Sequence, residues 1–367
     1  MTTIDEHALD DLARGAAILG TGGGGHPYIG MLLAKQAIRE HGPVELVQVD
    51  ELDDDALVVP TAMMGAPTIF LEKIPNGAEF VNAFEALARY RGHVATHTCP
   101  AEAGGVNALT PFVVAARKRV PVVDADFMGR AFPELQMCTP TMYGISATPM
   151  AMADDKGNSV ILETPSNAWT ERIARTITIE MGCASMIALY SLSGAQLKKC
   201  GVRGTVSLSS RLGRLVREER AAHRDPVGAV VDALSGHRLF EGKAVDVDRR
   251  TESGFARAAV AIDGTGPYAD SRLLLDARNE WLSAERDGEI VATAPDLIIC
   301  LDSETGEAVL TEEIRYGFRV VVLAAPCDAR WRTDAGLELA GPRCFGLDLD
   351  YVPIEARAQQ TAEARMR

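Results

Sequence analysis

The sequence predicts an α/β protein, an N-terminal α/β domain with a mostly parallel sheet followed by a C-terminal β-rich (α+β) domain. Three observations carry this. Between residues 44 and 126, strand-like runs ("VELVQVDEL", "HVATHT", "VPVVDAD") alternate with helix-period segments, the rhythm of βαβ units. From "GKAVDVDRR" to "YGFRVVVLAAP" the apolar period shortens to two, as in half-buried strands. A length of 367 residues favours two cores over one.

The elements follow in order. Leu9, Leu12, Ala13 and Ala16 recur at helical spacing, which predicts a helix over 5–18. A glycine loop follows, and Pro27 is suited to open the helix "YIGMLLAKQAIREHG", which His41-Gly42 closes. "VELVQVDEL" and "ALVVPTAMMGAPTI" are expected strands, the second with a glycine turn. The helix "AEFVNAFEALARYRG", the strand "HVATHT", the helix "NALTPFVVAARKR" and the strand "VPVVDAD" complete the first half. "WTERIARTITIEMGCASMIALYSL" is a helix running into an apolar strand-like segment. Two amphipathic stretches, "LGRLVREERAAH" and "DPVGAVVDALSG", precede the strand-rich part. The texture changes between about 165 and 195, so the domains are expected at 1–170 and 171–367, with a fraying tail after about 355.

Composition narrows the partners. Apolar residues make up 47% and aromatics 5%, an ordinary globular balance. A formal net charge of −14, with no basic tract to offset it, argues against nucleic acid and against an anionic membrane surface. The acidic N-terminus lacks the basic and apolar regions of a signal peptide, and no apolar run approaches a membrane span. Seven cysteines without a C-x-x-C pair fit reduced thiols, so a cytoplasmic setting is expected. A homo-oligomer is an expectation from the frequency of such assemblies among soluble enzymes.

"GTGGGGHPYIG" (Gly20–Gly30) satisfies G-x-G-x-x-G through Gly20, Gly22 and Gly25. A dinucleotide fingerprint needs a strand before the glycines; a helical segment precedes these, so no NAD is expected. Two readings stay open. The loop could be a turn that needs positive φ. Alternatively Gly22, Gly23, Gly24 and Gly25 could bring bare backbone N–H groups to a ligand at the next helix start, beside Tyr28 and His26, and this reading is favoured.

Three further stretches follow expected strands, where parallel α/β sheets bind ligands: "MMGAPT", "CPAEAGGVNA" and "PVVDADFMGRAFPELQM". They supply the carboxylates Glu102, Asp124, Asp126 and Glu134, the amide of Asn107 and the guanidinium of Arg130. Such a set could activate water, hold an oxyanion and orient a polar ring. Each has a plainer reading: Asp124 and Asp126 as caps, Asn107 as turn chemistry, Glu134 as an ordinary salt-bridged acid. His93, His97 and Cys99 would share one face of a strand and could hold zinc, although hydrogen-bonded histidines and a buried thiol explain them as well.

Taken together, "LGTGGGGHPYIG", "MMGAPT", "AGGVN", "PVVDADFMGRAFPELQM", "TEEIRYGFRVVVLAAP" and "GPRCFGLDLDYVP" resemble the S-methyl thiohydantoin desulfurase family, which is associated with hydantoinase/oxoprolinase-type proteins. The resemblance runs from about residue 8 to 355. It implies an α/β domain, then a β-rich domain, and hydrolytic release of methanethiol from an S-methylated thiohydantoin ring. It carries no confirmed catalytic set.

The expected chemistry has the glycine loop and Asn107 holding a small heterocycle while Asp124, Asp126 or Glu102 activates water. Tyr28 and Arg130 would contact the substrate. The second domain would close the crevice and add few catalytic groups, with Arg315 and Tyr316 as outside candidates. Three alternatives stand beside this: metal-assisted hydrolysis, an ATP-dependent ring opener and a non-catalytic subunit beside a hydantoinase. The lack of G-x-x-x-x-G-K-[ST] counts against the ATP reading.

Overall fold

The computed structural model describes residues 2–65, 75, 77–252 and 255–365, the side chains of 251–252 and 361–365 excepted. Ala66, Pro67 and Thr68 of the "MMGAPT" stretch lie outside the described residues.

The first half is built around one composite sheet. Strand β1 (Thr2–Ile4) was not expected, whereas β2 (Val44–Val47), β3 (Leu57–Val58), β4 (Thr61–Gly65), β5 (Val122–Val123) and β6 (Ala125–Asp126) come from the expected apolar runs. Strand β2 lies parallel to β5. Parallel bridges Thr98↔Val122, Val58↔His97 and Thr61↔Pro100 carry the sheet through residues 97–100 to β3 and β4. The parallel pairing ends there, and β1 at the other side runs antiparallel to β2. Strands β7 (Met150–Ala153), β8 (Ser159–Leu162) and β9 (Ala184–Ala188) join β4 in the order β4-β9-β7-β8, and every pairing among them is antiparallel. The β7–β8 pair is set locally: Asp154 accepts N–H bonds from Lys156 and Asn158 and folds the chain back as a hairpin, which only antiparallel strands can use.

Helices cover this sheet. They are α1 (Ala8–Leu19), α2 (Tyr28–His41), α3 (Ala78–Arg91), α4 (Thr110–Lys118), the single turn α5 (Thr139–Met142), α6 (Asn167–Glu180), α7 (Gly194–Cys200), α8 (Thr205–Ala221) and α9 (Pro226–Ala233). Helix α1 buries Leu9, Leu12, Ala16 and Leu19 along one stripe, and Asp5 caps its first turn through the N–H groups of His7 and Ala8. It meets α8 at backbone contact: a Cβ on Gly15 would stand 1.8 Å from the Ser209 carbonyl oxygen, and one on Gly213 1.8 Å from that of Asp11. Short strands β10 (Leu192–Ser193) and β11 (Val202–Arg203) tie this region back to β3 and β6.

The second sheet is antiparallel throughout. It holds β12 (His237–Glu252), β13 (Phe255–Gly264), β14 (Arg272–Arg278), β15 (Glu280–Arg286), β16 (Glu289–Thr293), β17 (Leu297–Asp302) and β18 (Arg319–Ala325), in the order β16-β15-β14-β13-β12-β18-β17. Residues 171–233 therefore pack with the first half, β9 inside its sheet and α8 on α1, and the second sheet starts only at His237. Helices α10 (Asp334–Ala340) and α11 (Ile354–Arg365) close the described chain, the latter over the stretch expected to fray. No helix among the described residues is long and apolar enough to cross a membrane.

Candidate active site

A cleft opens between the two sheets. Its first wall comes from β4 and the strand beside it. Ala62 pairs with Ile187, and their alternation with Met64 and Leu189 puts four apolar side chains on one face. Met128, Phe132, Leu135 and Cys138 form a second wall, from the loop after β6. The atom-free space, mouth included, is about 720 Å³.

Two carboxyl groups reach this apolar space from opposite halves. Glu102 follows the bridge segment at 97–100 and is 6% exposed. Asn107, in the 3-10 turn Gly105–Ala108, donates from Nδ2 to Glu102 Oε1. The same amide accepts the Met63 N–H at 2.6 Å and donates to the Met63 carbonyl at 3.2 Å, so it fixes the end of β4 and the acid together. Glu280 opens β15 and is 2% exposed. Its Oε1 accepts the Gly24 N–H at 3.3 Å, while its Oε2 is buried without a partner. Burial raises Glu102 well above the usual carboxylate range, and the charge of Glu280 adds to the effect. Burial also pushes Glu280 up to about 7, against the pull of the Arg130 cation.

The mouth is ionic. Glu134 pairs with Arg278 at 2.6 Å, and Glu171 with Arg175 one helical turn along α6. Arg175 also donates to the Pro133 carbonyl at 3.3 Å.

The expected site residues divide. Glu102, Asn107, Glu134 and Gly24 line the cleft. Asp126 does not. Its carboxylate, pushed by burial to about 7, accepts N–H groups from Ala103 at 2.7 Å, Met128 at 3.0 Å and Gly129 at 2.8 Å, so it sets the two loops that form the cleft wall. Asp124 accepts the Ser207 N–H at 3.0 Å and the Ser207 hydroxyl, capping α8 from outside. The capping reading of both aspartates fits this geometry, and neither carboxylate faces the cleft.

Arg130 is also scaffold rather than lining. It is fully buried, donates to Thr21 Oγ1 at 2.9 Å and to the carbonyls of Pro295 at 3.1 Å, Asp296 at 2.7 Å and Trp281 at 3.3 Å, and so joins the glycine loop to the second half. The loop itself is a junction. The Trp281 N–H bonds the Thr21 carbonyl, the Thr311 N–H bonds that of Gly22, and the Val106 N–H bonds that of Gly24. Its N–H groups meet protein acids: Gly24 donates to Glu280 and His26 to Glu312. Gly22, Gly23, Gly25 and Tyr28 thus stand behind or outside the cleft, and the Tyr28 ring is half exposed on α2.

The zinc candidates do not converge. His93 is exposed before the bridge segment, His97 bonds the Thr96 hydroxyl at 2.8 Å, and Cys99 is fully buried with its thiol pushed up by that burial. The strand expected at "HVATHT" forms only bridges from 97 onward, so the common face for all three is missing. Among the described residues, no group of three His, Cys, Asp or Glu side chains is placed to hold a metal.

Arg315 and Tyr316 lie away from the cleft, Tyr316 exposed with the Lys243 ammonium 5.3 Å from its ring centre. From the second half, expected to close the crevice and add few catalytic groups, Asn279 and the acid Glu280 line the cleft. Asn279, at φ 62°, makes the one-residue corner between β14 and β15 that sends Glu280 inward. The signal in "RNEWLSAE" was a carboxylate opening a strand otherwise rich in apolar residues.

Comparison with known proteins places this geometry in a family. The model for the S-Me-THD-like N-terminal domain matches residues 7–164, and that for the S-Me-THD-like C-terminal domain matches 165–354. A crystal structure of a protein from Chromobacterium violaceum superposes with a TM-score of 0.79 at 24% identity, covering 96% of this chain and 100% of its own, which establishes the shared fold. No curated protein matches the chain.

Proposed function

We propose, because the chain belongs to the S-Me-THD-like family, that it is a hydrolase releasing methanethiol from an S-methyl thiohydantoin or a closely related ring. The observation that carries this reading is the pair Glu102 and Glu280, brought from the two halves into one apolar cleft and each held above its ordinary pKa. Carboxyls poised in this way can act as acid and base near neutral pH.

In this mechanism Glu280, as carboxylate, takes a proton from water. The water oxygen bonds to the ring carbon that bears sulfur. The C=N electron pair moves to the ring nitrogen, which takes the proton of Glu102. The tetrahedral adduct collapses as its hydroxyl proton returns to Glu102, the C–S bond breaks, and the leaving sulfur takes the proton from Glu280. One water is consumed, hydantoin and methanethiol form, and both acids are restored. Asn107 holds Glu102 in place, and the Gly24 N–H holds Glu280 by Oε1, leaving its buried Oε2 without a partner. The apolar walls suit the ring and its methyl group.

The test is incubation of the intact protein with an S-methyl thiohydantoin in ¹⁸O-labelled water. Thiol release with one labelled oxygen in the hydantoin is expected. A folded protein that releases no thiol overturns the reading.

A further inference from the structure

We infer that the same cleft hydrolyses a second class of substrate, five-membered cyclic acylguanidines, releasing ammonia where the S-methyl ring releases methanethiol. The inference rests on the hydrolase reading above and extends it to another leaving group.

Three features of the cleft carry it. The first is the free oxygen of Glu280. Oε1 is held by the Gly24 N–H, and Oε2 is buried and unpartnered on a residue that lines the cleft. A buried carboxylate oxygen without a donor is costly, and a ligand that brings an N–H relieves that cost. An S-methyl ring offers a thioether at the reacting carbon, which donates nothing. An acylguanidine ring offers an exocyclic N–H next to a ring N–H, the edge that a carboxylate binds best.

The second feature is the charge balance. Arg175, which lines the cleft, is engaged by Glu171, and the lining Glu134 is paired with Arg278 behind it. The floor holds two acids and an amide, Glu102, Glu280 and Asn107. The lining therefore favours a neutral ring rich in N–H donors over an anionic one.

The third is the supply of protons. Nitrogen leaves a tetrahedral carbon only when it is protonated, so the departing group needs an acid beside it. Glu102 and Glu280 face the same space from the two halves, and each can hold a proton there. Water adds to the guanidine carbon of the ring with Glu280 taking its proton, and Glu102 protonates the ring nitrogen that receives the C=N pair. The C–N bond to the exocyclic nitrogen then breaks, that nitrogen takes the proton held by Glu280, and the hydroxyl proton returns to Glu102. The ring, one water, the hydantoin and one ammonia balance with no oxidant or co-substrate. The apolar wall of Ala62, Met64, Ile187 and Leu189 presents carbon and sulfur atoms, which do not distinguish SCH₃ from NH₂ by hydrogen bonding.

The experiment gives the intact protein 2-iminoimidazolidin-4-one and the matching S-methyl thiohydantoin, separately and together. Ammonia release with hydantoin as product, and competitive inhibition of thiol release by the imino ring, are expected. Glu280→Gln should lower both releases by at least tenfold. Thiol release with no ammonia overturns the inference and leaves the hydrolase reading standing, whether or not the imino ring inhibits. Ammonia release unaffected by Glu280→Gln, in a variant that has lost thiol release, overturns the shared-site inference. Neither release from a folded protein overturns both.

Discussion

The glycine loop and the Asn279–Glu280 corner meet at one edge of the cleft, one from each half of the chain. The loop is dense in motif and carries no side-chain chemistry: its carbonyls accept from Trp281, Thr311 and Val106, and its Gly24 N–H steadies an acid. The corner is inconspicuous in sequence, yet its second residue ends in a buried, unpartnered oxygen. Glycines mark where backbones must approach, which need not be where bonds are made and broken.

The strongest test of that contrast is chemical. Glu280→Gln and Glu102→Gln should each remain folded and lose roughly 10²–10⁴-fold in turnover, the usual range for a general acid or base. Asp124→Asn and Asp126→Asn should act mainly on stability, since their oxygens accept backbone N–H groups. Turnover assays beside thermal melts separate the two outcomes. Full turnover in Glu280→Gln, with loss in a stable Asp126→Asn, would reverse the comparison.

The junction comes next in size. Arg130→Met should cost about 3 kcal/mol or more, because several buried acceptors from both halves lose their donor at once. Chemical denaturation would read this, and a change below about 0.5 kcal/mol would mean that the halves are held together elsewhere.

Acidity gives a third test. Burial disfavours the charge of Glu280 and pushes its pKa up to about 7 in the folded state, from 4.5 without burial. The folded state therefore binds this proton more tightly than the unfolded chain does. The associated stability is full below about 4.5 and is lost as pH rises through about 7, an effect of about 3 kcal/mol. Melting temperature should fall across that window, and less steeply in Glu280→Gln. With Glu280 as the base, kcat/KM should rise over the same range, since the base must be charged. A wild-type slope unchanged in Glu280→Gln would remove Glu280 from the titration.

Much of the fold was legible because its elements are locally determined. The stripe of Leu9, Leu12 and Ala16 and the alternation in β13 and β14 each point to a single element. The antiparallel end of the first sheet was not legible, since β9 returns to β4 from more than a hundred residues away. In the site, Glu102 and Asn107 could be found because they sit in a loop after an apolar run, as ligand-binding groups do in α/β sheets. Asp124, Asp126 and Arg130 share that signature, but their side chains turn to the backbone, a distinction that only packing makes. Glu280 was missed because what buries it is the first half lying over it, and no local pattern in "RNEWLSAE" encodes that cover.

The smallest expected effects come from glycine loop and surface substitutions. Gly23, alone among Gly22–Gly25, lacks a left-handed φ, so alanine fits its backbone. Its new Cβ would stand 2.2 Å from Glu280 Oε1, and the carboxylate must move. Gly23→Ala should therefore lower turnover about tenfold, near 1.4 kcal/mol, with a smaller loss of stability. Gly24→Ala, at φ 72° and 3.0 Å from the Gly104 carbonyl oxygen, should show the opposite balance, about 1 kcal/mol or more of stability lost. Tyr28→Phe and His93→Ala, at exposed positions outside the cleft, should change neither quantity by more than about 0.5 kcal/mol. A strong effect of Tyr28→Phe on KM would mean that the substrate extends past the loop to α2, and the divide between scaffold and chemistry would have to move outward with it.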